Sequence, residues 1–127
     1  MENEVDQIPR SEFILKQKIS DMLKYGNPVV MQFGKPYRAL AVELKTTMLN
    51  MYKLAVAVER KYYKKTTLQE LDTELDWLRH LIRMAKDKAY FGPKYPPPLA
   101  FSKYEYWARL LDEIGRILGG YMKYVQK

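Results

Sequence analysis

The chain predicts an all-α fold, an antiparallel up-and-down four-helix bundle, on three observations. Apolar residues recur in alternating steps of three and four along most of the 127 residues. Glycine- and proline-bearing breaks divide that pattern into segments of helical length. No stretch alternates apolar and polar residues as a half-buried strand does. A single domain over residues 1–127 is long enough to build a core without disulfides or metals.

The first helix is expected over residues 11–33, after a flexible tail at 1–10. Leu15, Ile19, Met22, Gly26, Val29 and Phe33 form its stripe. Ser11 is placed to cap it, with Glu12 and Asp21 toward its positive end. Pro28 falls inside the pattern and removes a backbone donor, which predicts a kink near Tyr25-Gly26-Asn27. Gly34-Lys35-Pro36 marks a break. The second helix, 36–64, carries Tyr37, Ala41, Leu44, Met48, Met51, Ala55, Val58 and Tyr62 on one face. Thr66-Thr67 offers the next cap, with Glu70 in the capping-box position after Thr67. The third helix, 67–90, repeats the rhythm with Leu68, Leu71, Leu75, Leu78, Ile82, Ala85 and Ala89. Phe91–Ala100 holds four prolines and forms a stiff, extended connection. Ser102 then caps the fourth helix, 102–125, with Glu105 as its partner. That helix carries Tyr104, Trp107, Leu111, Ile114, Leu118, Tyr121 and Val125.

Cysteine is absent, so disulfide and thiolate chemistry are excluded and a reducing compartment suits the chain. The acidic N-terminus lacks the apolar core of a signal peptide, and no apolar run approaches the length that spans a bilayer. A soluble, cytoplasmic protein is expected. The net charge of +7 is uneven: residues 35–65 hold 8 basic and 2 acidic side chains, ending in Arg60, Lys61, Lys64 and Lys65. A regional surplus of this kind points to a polyanionic partner, nucleic acid being the commonest, or to a surface that only keeps the protein soluble.

Two helices carry more apolar surface than one bundle needs. In the third, Trp77, Leu81 and Met84 lie away from the leucine line; in the fourth, Leu110 and Ile117 flank the main stripe. Left exposed, they would form a large patch, which predicts either a homo-oligomer with these five residues at its interface or a short loop or the N-terminal tail covering the strip. Gly115, Gly119 and Gly120 interrupt the fourth helix at about 1 kcal/mol each relative to alanine. Gly115 lies on a flank of the apolar face, where a backbone could approach closely, whereas Gly119 and Gly120 turn toward the polar side.

Signals for catalysis are weak, and no enzymatic activity is expected. His80 is the single histidine, and no Glu-x-x-His pair or phosphate-cradling glycine loop is present, so neither a metal nor a cofactor is implied. Asp72, Asp76, Asp112 and Glu113 are spaced to pair with Arg79, Arg83, Arg109 and Arg116. The basic residues nonetheless form stripes. Arg79, Arg83 and Lys86 share one side of the third helix, and Arg109, Arg116 and Lys123 recur every seven residues on the fourth. With the cluster at 60–65, they are the candidate nucleic-acid contacts. The eleven tyrosines fall mostly on core or flank positions and are expected to pack rather than stack on bases.

Two segments, Leu75-Asp76-Trp77-Leu78-Arg79-His80-Leu81-Ile82-Arg83-Met84-Ala85-Lys86-Asp87 and Leu111-Asp112-Glu113-Ile114-Gly115-Arg116-Ile117-Leu118-Gly119-Gly120-Tyr121, resemble a known four-helix-bundle family. Its members include the accessory variability determinant (Avd) proteins of diversity-generating retroelements and the proteins encoded in intervening sequences of 23S rRNA genes. The resemblance runs from about residue 12 through most of the chain; many relatives have tryptophan where this chain has Tyr121. It implies a barrel-like homopentamer with a basic surface that binds RNA or DNA and the element's reverse transcriptase. It further implies a role in mutagenic copying of template RNA into cDNA. Arg79, Arg83 and Arg116 match the family's arginine positions. An rRNA- or ribosome-associated bundle, or a purely structural interaction module, would use the same scaffold.

Overall fold

A computed structural model describes the backbone of residues 4–125, with side chains from residue 11. Four helices run as α1 (Glu4–Met31), α2 (Arg38–Arg60), α3 (Lys65–Lys86) and α4 (Phe101–Val125), and the described residues contain no strand. Each packs on its neighbours in the order α1–α2–α3–α4–α1, while the diagonal pairs stay apart. Cross-helix contacts fix the antiparallel sense: Lys16 near the start of α1 meets Glu59 at the end of α2, and Tyr25 late in α1 reaches Lys103 at the start of α4. The four-helix bundle is thus as the periodicity predicts.

Its core is the inward face of all four helices. Leu15, Ile19, Met22, Leu44, Met48, Met51, Leu71, Leu75, Leu78, Trp107, Leu111 and Leu118 are fully buried. At roughly 1.5–3 kcal/mol for each large apolar side chain removed from water, this burial dominates stability.

The helix ends differ from expectation. Residues 4–10, expected in a tail, already follow the helical path. Residues 1–3 lie outside the described residues. Ser11 is therefore inside α1 and caps nothing. The helix continues through Pro28 and stops at Met31. The second helix begins after a 3₁₀ turn at Lys35–Tyr37 and ends where Lys61 turns extended, shorter at both ends than 36–64. Tyr62 consequently leaves the helical stripe and is exposed rather than buried.

The third helix starts two residues before the expected cap. Thr67 points inward, buried, with its hydroxyl unpartnered, so no capping box forms with Glu70. It stops at Lys86, and Ala89 belongs to a 3₁₀ turn whose amide is accepted by the Asp87 carboxylate at 2.9 Å. Ser102 lies in the first turn of α4, one residue inside its start.

The proline-rich connection is strapped down at three points. Buried Leu99 donates its amide to Ala85 O, the Tyr37 hydroxyl donates to Pro96 O, and the Tyr37 ring meets Phe91 edge-on at 5.3 Å. Gly92 takes φ +73° to turn the chain back, a conformation other residues adopt at a cost.

Glycines of α1 and α4 set opposite constraints. A Cβ at Gly26 would lie 2.6 Å from Met48 Sδ and 2.8 Å from Trp107 Cζ2, so α1 approaches both α2 and α4 more closely than alanine allows. Gly119 and Gly120 face open space and satisfy no packing need. Gly26→Ala should therefore lower stability by about 1–3 kcal/mol through overpacking. Gly119→Ala should raise it by up to about 1 kcal/mol through helix propensity. Urea unfolding midpoints of the two variants would check both signs.

Candidate nucleic-acid interface

Electrostatics decides which of the expected basic residues remain available. Arg79 is only partly exposed and leans across the α3–α4 seam. Its guanidinium crosses to α4, donating to Leu111 O at 3.5 Å and approaching Asp112 at 3.6 Å, and it fills the space beside Gly115. A Cβ at Gly115 would lie 2.6 Å from Arg79 Nη2. Gly115 thus accommodates an arginine head group rather than another backbone, contrary to the expected close packing of helices. Lys86 sits over the Tyr104 ring at 5.1 Å, a cation–π contact on the same α3–α4 seam.

The remaining stripe residues do face solvent. Arg83, Arg109, Arg116 and Lys123 are exposed and form no ion pair with another described residue. Three of the four acids expected to neutralise them are engaged elsewhere: Asp112 with Arg79, Glu113 with Lys18 at 2.9 Å, Asp76 with His80. Glu113 raises the Lys18 pKa by hydrogen bonding and by its charge.

At the α2–α3 turn the basic cluster divides. Lys64 turns inward, bonding Val58 O and pairing with Glu12 of α1 at 2.6 Å. Tyr121 of α4 donates its hydroxyl to the same carboxylate. Burial, then the Glu12 hydrogen bond, push the Tyr121 pKa far up, so the phenol stays neutral. Lys64 is accordingly an anchor and not a ligand contact. Arg60, Lys61 and Lys65 are exposed beside it, and Lys123 lies in the last turn of α4 at the same end of the bundle.

Three cations of α2 lie outside the set expected from the sequence. Arg38, Lys45 and Lys53 lie with Arg60 along the exposed face of α2, where they form no ion pair with another described residue. Their spacing of seven and eight residues was the available signal. Between them Val42 and Leu49 are each 57% exposed, and Val56 continues the row. The expected apolar strip is different. Leu81 is only 2% exposed, buried in its own bundle, while Leu110 and Ile117 pack against the core and Met84 is half-buried. They are covered because neighbouring helices pack close enough to reach these flanking positions. Trp77 alone stays largely open, at 41%, with its indole N–H donating to Glu43 at 2.9 Å.

Among the described residues no group of three or more His, Cys, Asp or Glu side chains could hold a metal, and no described helix is long and apolar enough to cross a membrane. A surface groove of about 550 Å³ between α2 and α3 is lined by Lys53, Lys61, Glu70 and Glu74, with Leu54 and Ala57 beneath. Partial burial, then the nearby Glu43 charge, raise the Glu74 pKa.

Removing the Tyr121 hydroxyl leaves the Glu12–Lys64 pair without its donor, so Tyr121→Phe should cost about 1.5–3 kcal/mol near neutrality. The raised pKa gives the pH sign. Stability carried by the neutral phenol is complete below its unfolded value, 10.0, and is lost as pH rises above it. Thermal unfolding of wild type and Tyr121→Phe across that range should converge as pH increases.

Comparison with the curated proteins finds no match. Comparison with protein-family models matches the bAvd-like family over residues 13–125, a span that takes in the buried stripes of all four helices, the Glu113–Gly115–Arg116 segment and both basic surfaces. The chain belongs to the bAvd-like family.

Proposed function

We propose that this protein is a non-enzymatic accessory factor of a diversity-generating retroelement. It binds nucleic acid and the element's reverse transcriptase, and so supports mutagenic cDNA synthesis from template RNA. The observation that carries this reading is an Avd-like bundle in which Arg60, Lys61, Lys65, Arg83, Arg109, Arg116 and Lys123 are exposed and lack ion-pair partners among the described residues. Unpaired lysines and arginines held on rigid helices are what phosphate contacts require; no cofactor or metal enters. The contact surface is the outer face of α4, with Arg109, Arg116 and Lys123, extended by Arg83 and by Arg60, Lys61 and Lys65.

The protein acts in the cytoplasm as a homopentamer, which would multiply these cations around a ring. Trp77 and the exposed row Val42, Leu49 and Val56 offer an apolar surface for assembly, in place of Leu81. Light scattering on the purified protein should give five copies, and Leu49→Asp should reduce that number; a wild-type monomer at micromolar concentration contradicts the assembly.

For binding, about four phosphate contacts imply an affinity loss on the order of a hundredfold between roughly 50 and 200 mM monovalent salt. Fluorescence anisotropy with labelled RNA and DNA would read it, and Arg109→Ala with Arg116→Ala should lower the salt slope by about 2. Salt-independent or undetectable binding contradicts the proposal. Co-purification with a reverse transcriptase encoded beside the gene tests the second partner, and its absence next to an rRNA insertion would favour an rRNA-associated role.

A further inference from the structure

Tyr62 and Tyr63 are the most exposed aromatic residues in the described chain, 87% and 84% accessible. Their rings meet edge to face, centroids 4.8 Å apart, and no other ring contact involves them. Other tyrosines of this protein have structural employment: Tyr121 on Glu12, Tyr37 on the proline connection, Tyr25 against Trp107. Two adjacent rings left in water have no such role in the fold.

Their setting is built, not loose. Lys61 N donates to Ala57 O at 3.2 Å on one side of the pair, and Leu68 N donates to Lys64 O at 2.9 Å on the other. The Lys64 ammonium is held by Val58 O and Glu12, which turns this one cation inward and leaves the tyrosines outward. Arg60, Lys61 and Lys65 surround them, exposed. Aromatic faces interleaved with cations on a pinned turn are the combination that binds unpaired nucleotides: the rings stack on bases while the cations hold the flanking phosphates. In a duplex the base faces are already stacked within the helix and cannot meet a tyrosine.

Resting on the proposed nucleic-acid binding, we infer that the α2–α3 turn is a stacking site for single-stranded nucleic acid, with Tyr62 and Tyr63 as its platform. The turn thereby gives the protein a preference for unpaired over duplex strands that its helical arginines alone would not supply.

The test is fluorescence anisotropy of the full-length protein with a mixed-sequence single-stranded oligonucleotide and the matching duplex. Variants are Tyr62→Ala with Tyr63→Ala, Tyr62→Phe with Tyr63→Phe, and Lys61→Ala with Lys65→Ala. Both rings are exposed, so circular dichroism should remain that of wild type. The alanine pair should weaken single-strand binding about tenfold or more. It should leave duplex binding within about twofold, and the phenylalanine pair should retain the preference, because the ring face and not the hydroxyl does the stacking. The lysine pair should weaken both ligands. Unchanged single-strand affinity in the alanine pair, or an equal loss on both ligands, overturns the stacking site while leaving nucleic-acid binding intact. Wild-type protein that binds neither ligand overturns both.

Discussion

A single carboxylate organises one end of this bundle. Glu12, projecting from α1, receives the hydroxyl of Tyr121 from α4 and the ammonium of Lys64 from the α2–α3 turn. A charge largely withdrawn from water is costly unless it is paired and hydrogen-bonded, and here it is both. The consequence reaches beyond stability. By taking Lys64 inward, Glu12 fixes the turn that carries Arg60, Lys61, Tyr62, Tyr63 and Lys65, and leaves those side chains facing solvent. Glu59, the acid of the 35–65 segment near this end, is engaged by Lys16 at 3.1 Å. The turn therefore keeps an uncompensated positive charge although acids lie nearby.

The same division of labour separates the helical arginines. Arg79 and Lys86 join α3 to α4, one through Leu111 and Asp112 and the other through the Tyr104 ring. Gly115 leaves room for the Arg79 guanidinium, so the glycine and the arginine form a single packing unit. Occupying Asp112 in this way leaves Arg116, one turn further on, without that partner. Assembly of the core and presentation of charge are coupled through these pairs: Asp112 and Glu113, which might have neutralised the outer stripe, are spent across helix boundaries.

Most of the fold was legible in the sequence because the helical period is strong and every stripe residue from Leu15 to Val29 and from Leu68 to Ala85 has one inward direction. Helix ends were less legible, since Ser11, Thr67 and Ser102 are good capping residues whose positions the tertiary packing overrides. The turn is the clearest case. Tyr62 continues the apolar spacing of α2, and nothing local says that the helix stops at Arg60; the Lys64–Glu12 contact that ends it spans two distant segments. For the candidate interface, the charge surplus of residues 35–65 was visible, as were Arg83, Arg109, Arg116 and Lys123. That Arg79 and Lys64 turn inward was not, because each is decided by a partner far away in sequence. The exposed Val42–Leu49–Val56 row was readable at its seven-residue spacing but was masked by the more conspicuous Trp77 and Leu81.

Where a polyanion touches the bundle is the decisive property. A photoreactive single-stranded oligonucleotide, cross-linked to the purified protein and mapped by mass spectrometry, addresses this directly. Attachment within residues 60–65 and along the Arg109–Lys123 face of α4, lost in high salt, is the predicted result. Attachment confined to the opposite end, around Tyr90–Tyr95, or to the α1 surface would contradict it.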